Sequence, residues 1–455
     1  MRTLNKDPSG SRAKVLQGIM AVSVVLAALW STSAQAIPLF NRQTGQNCVA
    51  CHAGGQFPEL TPYGRLFKMT GYTLGQRVKA PVSVMAVASM AKISNTTKLG
   101  DPAAPNDFQK NGDPIYATAS LFLGGKVTDN LGAFVQITQD PYATQSADGQ
   151  YHSHSGVDNV DLRYADRFID SSRDLIVGVS VNNNPSISDP WNTAAAWMQY
   201  VPVPSPGSNQ FIDGTSPYPG FGSGGHVAGI NAYAFWNQTV YAELGGYQTA
   251  NGVLSLLRTG TPDASRLKGT NPYWRLALNH EWGAHSLMIG TAGMTANIYD
   301  DPFNTSDPAT LHQTRNWSVD AQYQYLLDPH TVTAQLVYAK QKFRFSDASI
   351  ALGAPGAPNA DDTSVTRGKL TYTYNARYGG SLSAFSLKGS QGNLSPDPAT
   401  RGITYEAFVT PVQNVRVGAQ YTTYSLFNGA SDNYDGFGRN AKDNNSLFVY
   451  VWAAY

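Results

Sequence analysis

Charge is the first thing this chain has little of. Only 14% of its 455 residues are charged, and the formal net charge is +1. So neutral a chain has no field with which to attract a polyanion, which excludes nucleic acid as a partner. Cysteine is nearly absent. Cys48 and Cys51 are the only two, so any thiol chemistry sits at one point. Long apolar runs are missing too. The mostly apolar stretch from Val15 to Trp30 is about 16 residues, short of the roughly 20 that span a bilayer. If the mature chain sits in a membrane, it does not do so with helices. Glycine (43) and tyrosine (25) are plentiful instead. A soluble all-helical protein of this length would carry more charge and less glycine, so strands and turns are expected.

The apolar run follows Arg2, Lys6, Arg12 and Lys14 and ends before Ala34-Gln35-Ala36. A basic start, a short apolar centre and an A-x-A site make a secretory signal peptide over residues 1–36. The mature chain is then expected to begin at Ile37, with 28 basic and 30 acidic residues, a net −2.

From about Pro81 onward apolar and polar residues alternate. Trp317, Val319, Ala321, Tyr323, Tyr325 and Leu327 take one parity; Ser318, Asp320, Gln322 and Gln324 take the other. Val332, Ala334, Leu336 and Tyr338 alternate with Thr331, Thr333 and Gln335, and Leu370, Tyr372 and Tyr374 with Lys369, Thr371, Thr373 and Asn375. Successive side chains on a strand point to opposite faces, so each segment has one apolar and one polar wall. A soluble sandwich would show this as well, with the apolar wall as its core.

Loop lengths separate the two. About 16 strand-like segments are joined alternately by short turns and long excursions. The turns fall near 128–130, 170–173, 237–238, 282–285, 328–330, 379–380 and 411–414. The excursions run near 93–114, 140–157, 183–224, 249–271, 298–314, 346–364, 390–400 and 428–445. An even strand count with tight turns at one end and long loops at the other is the layout of an outer-membrane barrel. The last strand, with Leu447, Val449, Val451, Ala453 and Tyr455 on one parity, ends on an aromatic. The expected fold is all-β: a transmembrane barrel of about 16 strands over residues 81–455, both termini on the periplasmic side of a bacterial outer membrane.

The chemistry lies ahead of the barrel. Cys48-Val49-Ala50-Cys51-His52 is a C-x-x-C-H sequence, which attaches c-type haem. Its thiols add across the haem vinyl groups, and the adjacent histidine ligates the iron from one side. A thioredoxin-like dithiol would need a βαβ setting, a structural zinc about four ligands, and a disulfide across two residues would be strained. Residues 37–80 are too few to bury a macrocycle in an ordinary core. Sixteen strands about 4.8 Å apart and tilted about 40° enclose a barrel roughly 30 Å wide. The haem segment is therefore expected as a plug in or at the mouth of the lumen, the alternative being a periplasmic head.

Phe40-Asn41-Arg42-Gln43-Thr44-Gly45, the Cys48–His52 motif, Phe57-Pro58-Glu59-Leu60-Thr61-Pro62-Tyr63-Gly64-Arg65 and Phe67-Lys68-Met69-Thr70-Gly71-Tyr72 resemble the fused monohaem cytochrome–porins of the outer membrane. Those proteins are associated with iron oxidation in neutrophilic and acidophilic bacteria. The motif match covers about 35 residues; over the barrel the resemblance is architectural. It implies an oxidoreductase in the electron-transfer sense, taking electrons from extracellular Fe(II) through one covalent haem c to a periplasmic cytochrome. A porin whose haem plug gates or senses, and a conduit to another external donor or acceptor, are the competing readings.

Cys48 and Cys51 would form the thioethers and His52 the proximal iron ligand. Met69, the nearest Met or His downstream, is a candidate distal ligand whose thioether would raise the reduction potential; filling a gap in the plug is its other reading. Met85 and Met90 are alternatives for the distal position. Arg42, Arg65 and Lys68 are candidates to neutralise the propionates, or are solvated lumen charges. His152-Ser153-His154 is read as part of a long external loop, either a metal holder or, by preference, a solvated polar stretch, and Asp161, Arg163 and Arg167 as lumen charges that brace the plug or line a pore.

A covalent haem survives denaturation. The denatured protein is expected to stain for haem peroxidase activity on a gel, and Cys48→Ser with Cys51→Ser to lose most of the stain and the sharp reduced-state band. Full retention in the double variant would overturn the assignment.

Overall fold

The computed structural model describes residues 38–55, 59–95, 111–146, 151–193, 227–258, 266–299, 303–352, 359–389, 397 and 399–455. The leader lies outside them, as do Phe57 and Pro58.

Sixteen strands follow one another around a closed antiparallel sheet: β1 (Val82–Ile93), β2 (Pro114–Lys126), β3 (Leu131–Gln145), β4 (Tyr151–Ile169), β5 (Asp174–Asn182), β6 (Val227–Trp236), β7 (Val240–Thr249), β8 (Asn271–Trp282), β9 (His285–Tyr299), β10 (Leu311–Leu327), β11 (His330–Arg344), β12 (Ala360–Tyr374), β13 (Tyr378–Gly389), β14 (Thr400–Val412), β15 (Val415–Leu426) and β16 (Ser446–Ala454). Arg266–Leu267 is a two-residue piece ahead of β8 that pairs with the outer end of β9. Closure comes from β1, which pairs with β2 on one side and β16 on the other, Met85 facing Ala454 and Ile93 facing Ser446. Tyr455 completes the seam by exchanging backbone hydrogen bonds with Val84.

Polarity runs opposite to that of a soluble protein. Along β10 the buried positions are Thr314, Asn316, Ser318, Asp320, Gln322 and Gln324, while Trp317 and Val319 are exposed. Leu244, Leu276, Leu278, Ile289, Leu336, Leu370, Leu382 and Ile403 are exposed on other strands. Apolar groups outside and hydroxyls, amides and charges inside fit a wall whose outer solvent is hydrocarbon. The interior pairs its own polar groups: Gln335 donates to Gln322 at 3.0 Å, the hydroxyls of Thr404 and Thr422 meet at 2.9 Å, and Arg275 takes Asp320 in a two-pronged bond at 3.0 and 2.8 Å.

The glycine content has a local cause. Gly178, Gly229, Gly379 and Gly418 each stand directly across from an aromatic residue of the next strand, Tyr233, Tyr247, Phe408 and Tyr450 respectively. A Cβ at any of these glycines would lie 2.2–2.5 Å from that ring. The ring takes the space a side chain would fill, which only glycine leaves open.

Three sequence readings change. The stretch 140–157 is mostly strand, with only 146–150 between β3 and β4. A strand rises about 3.3 Å per residue, so β3 and β4 overrun the roughly 25 Å hydrocarbon band. Past the band both faces are wet and alternation fades, so the sequence there looks like loop. His152 and His154 thus sit on β4. The turn expected at Gly379-Gly380 is Asn375-Ala376-Arg377, where Asn375 and Ala376 take the positive φ values of 52° and 50°. Lastly, the excursion 183–224 does not simply face outward: its first part, 183–193, folds into the lumen, where Asn183, Ser188, Asp189, Trp191 and Thr193 are fully buried. The rest of it lies outside the described residues.

An outer-wall leucine is thus the place for a test. Leu336→Arg is expected to lower the barrel's stability by about 2–4 kcal/mol, the cost of a cation near the bilayer midplane, read as urea unfolding in lipid. No loss would contradict the outward assignment.

Candidate functional site

Among the described residues three short helices precede β1: α1 (Pro38–Thr44), α2 (Cys48–Cys51) and α3 (Pro62–Met69). Thr61 caps α3 by accepting from the Gly64 amide, and Pro62 follows at the first helical position, where its missing N–H costs nothing. The same Thr61 ties α3 to α2: its hydroxyl donates to the Ala50 carbonyl and its amide to that of Cys51. Gly64 packs so tightly on Cys51 that a Cβ there would lie 2.1 Å from the Cys51 carbonyl oxygen. Across α1, Phe40 meets Phe67 edge-on at 4.9 Å and stacks on Tyr72 at 5.7 Å, and Phe134 of β3 joins them. The C-x-x-C-H segment is thereby held on a small aromatic core shared with the barrel wall.

The segment seats at the short-turn end of the lumen. Gly54 packs on Thr373 near the foot of β12, and Gly55 faces Ala376 of the next turn. The Cys48 thiol donates to the Gln413 carbonyl at 3.9 Å, in the turn between β14 and β15.

Bonds to the wall fix it there. Arg65 donates to Gln324 at 2.9 Å, Ser286 at 2.7 Å and Glu281 at 3.2 Å. Lys68 donates to the Asp189 carbonyl at 2.7 Å and the Asn192 side chain at 3.1 Å. Glu59 pairs with Lys369 at 2.9 Å, and the Tyr72 hydroxyl donates to Asp161 at 2.6 Å. Arg42, exposed, donates to the Val82 carbonyl. Arg65 and Lys68 are therefore not solvated lumen charges: they are buried braces. Burial pushes Lys68 down to about 8 and Arg65 down to about 10. Asp161 braces the plug as well, through Tyr72; Arg163 pairs with Asp161 at 2.6 Å and donates to the Ser188 carbonyl of the inward loop, while Arg167 grips Asp174 at the turn end.

The inward loop went unseen in the sequence. It carries α4 (Pro185–Ser188), then Asp189, which accepts from the amides of Trp191 and Thr193 at 3.0 Å each and pairs with Arg275 at 3.1 Å. Thr193 donates to Asp320 at 2.7 Å. Trp191 packs edge-on to Tyr241 at 5.5 Å. A tryptophan amid Pro, Asn and Asp was the available signal, since so large an apolar group has little reason to sit in a solvated loop.

Met69 packs in the same cluster, among Trp191, Tyr233, Phe235, Tyr241 and Met288, and its carbonyl accepts from Tyr233 at 2.6 Å. This packing gives it a structural role of its own. Met85 takes a buried, lumen-facing position on β1, whereas Met90 has the opposite parity. His152 lies 3.1 Å from the Ser146 hydroxyl. Among the described residues no group of three or more His, Cys, Asp or Glu is placed to hold a metal ion.

The donor set fits a thioether-attached haem. The two thiols are not joined in a disulfide. They stand one helical turn apart on α2, with His52 next as its C-cap. Burial pushes His52 down to about 4, so at neutral pH its imidazole is uncharged and able to ligate. Burial and the neighbouring Cys48 push the Cys51 thiol up to about 11.

No protein-family model and no curated protein matches the chain. Solved structures do resemble it. They include OmpF of Salmonella typhi in complex with daunomycin (11% identity, 82% of this chain and 97% of that one, TM-score 0.43). The outer membrane channel DcaP of Acinetobacter baumannii (12%, 82% and 96%, 0.42) and an anion-selective porin from Comamonas acidovorans (11%, 82% and 98%, 0.42) are similar too. The protein is an outer-membrane β-barrel. That conclusion rests on closure and inverted polarity in the chain itself.

Arg275 holds two buried carboxylates, Asp189 and Asp320, at once. Arg275→Met is expected to cost about 3–5 kcal/mol, because it strands buried charge, and to open 183–193 to protease. An unchanged unfolding midpoint would show that the loop is not held this way.

Proposed function

We propose that this barrel is an electron-transfer protein that takes electrons from extracellular Fe(II) and delivers them to a periplasmic cytochrome through one haem c. When bound, the haem supplies a one-electron couple. Cys48 and Cys51 would hold it and His52 would ligate it. The observation that carries the reading is a helically ordered C-x-x-C-H motif seated at the short-turn end of a barrel lumen.

Short turns face the periplasm in barrels of this kind, which sets the motif on that side. The hydrocarbon band is about 25 Å tall, and electron tunnelling decays steeply with distance, so one redox centre does not wire the whole membrane. The donor must come down the barrel. A polar interior admits a small aqueous cation and rejects a mineral particle.

The gating alternative is disfavoured by the braces. A plug that leaves must break the bonds of Arg65, Lys68, Tyr72 and the Glu59–Lys369 pair, and hydrogen bonds to charged groups are worth about 1.5–3 kcal/mol each. A fixed plug suits positioning better than opening.

In liposomes with the haem reduced from outside, soluble Fe(II) is expected to react quickly and particulate iron of comparable driving force far more slowly, followed by the haem absorbance. Equal rates would contradict a donor that travels down the lumen and favour a surface-exposed haem.

A further inference from the structure

Charge in this chain is segregated. Of its 32 basic and 31 acidic residues, the leader takes four and one, residues 37–80 take five and one, and the remainder takes 23 and 29. The plug segment is thus net +4 against −6 for the barrel. Its internal account is uneven as well. Arg65 and Lys68 are buried and spoken for, and the one acid, Glu59, is buried against Lys369. What the plug shows to water is therefore cationic only: Arg42, Arg77 and Lys79 are all exposed. Neither Arg77 nor Lys79 has a carboxylate partner among the described residues.

Arg77 and Lys79 border a cleft of about 420 Å³ lined also by Gln43, Pro81, Gly125 and Lys126. It opens at the short-turn end, because Lys126 is the last residue of β2 and Gln43 accepts from its amide at 2.9 Å. The nearby acid, Asp129, is taken up by Lys126 at 2.8 Å. On the same end Val49 of the attachment helix is 47% exposed, against Gly55 and beside the Asn375–Arg377 turn. An apolar tip on the C-x-x-C-H segment and, at the same end of the barrel, cations with no carboxylate partner among the described residues have the make-up of a transient docking face: a small dry centre with charges that steer. Lipid is the less fitting occupant, because the cleft is formed against the plug inside the ring of strands and the hydrocarbon lies outside it.

We infer that the short-turn mouth, through Arg77, Lys79 and the adjacent cleft, is the docking surface for an acidic periplasmic protein. The inference rests on the electron-transfer reading, whose acceptor this partner would be. Association would be steered by long-range attraction, so it would be fast at low salt and fall as added ions screen the charges over about 10 Å.

The test uses the haem-loaded protein in nanodiscs of zwitterionic lipid, with two purified monohaem cytochromes of matched potential as probes, one acidic and one basic. Binding is read by biolayer interferometry and haem oxidation by stopped-flow, from 10 to 150 mM salt, with a small neutral mediator as a third oxidant. The acidic probe is expected to bind and react at least about tenfold better than the basic one, with that advantage shrinking as salt rises. Arg77→Gln with Lys79→Gln should remove most of the advantage while leaving oxidation by the mediator and the covalent haem stain unchanged. Equal behaviour of the two probes, or an unchanged double variant, would overturn the docking surface alone, provided the mediator still oxidises the haem. Salt-dependent binding of the acidic probe without electron transfer would keep the surface and defeat the electron-transfer reading. Capture of empty anionic nanodiscs through Arg77 and Lys79, with no capture of the acidic probe, would assign the cations to lipid and overturn the proposal.

Discussion

In hydrocarbon a backbone amide or carbonyl finds no water, and leaving one unpaired costs several kcal/mol. A sheet that crosses a membrane must therefore have no edge. Here that requirement is met where β1 receives β16 and Tyr455 bonds Val84. Much else follows from closure. Once the strands ring a lumen, one parity faces lipid and the other faces inward, so Trp317 and Val319 lie outside while Asp320 and Gln322 lie inside. An interior of that kind imposes a second condition, because buried charges and amides need partners of their own. Arg275 between Asp189 and Asp320 meets it, and so does Arg65 among Gln324, Ser286 and Glu281.

The plug and the wall solve each other's problem. A segment of this size has little apolar surface of its own, and the barrel wall offers it polar partners that would otherwise be hydrated. Glu59 reaching Lys369, Tyr72 reaching Asp161 and Phe40 packing toward Phe134 join the two. The loop 183–193 works from the opposite side, accepting Lys68 and placing Trp191 against the cluster that holds Met69. The thiols and imidazole of the attachment motif owe their fixed place to these contacts, since α2 itself is a single turn.

The barrel was legible because its period is two and its turns are short. Parity marked outward Leu336 and inward Gln335 correctly, and six of the seven turns fell where the breaks in pattern lay. The seventh misled because Gly379 and Gly380 read as a turn, yet Gly379 is small in order to receive the ring of Phe408. Strand ends beyond the membrane were invisible, since Tyr151 to Gly156 carry no alternation for hydrocarbon to impose. At the site, Cys48, Cys51 and His52 announce themselves by spacing. The roles of Arg65 and Lys68 did not, because a brace is defined by partners more than 100 residues away, which no local pattern encodes. The inward fold of 183–193 was hidden for the same reason.

The barrel is proposed to hold a covalent haem poised to accept electrons from Fe(II). A redox titration of the purified protein followed at the haem bands tests it most directly. Electron uptake from Fe(II) requires one covalently bound haem titrating as a single one-electron couple at a positive potential. A strongly negative potential, or no covalent haem, would contradict it.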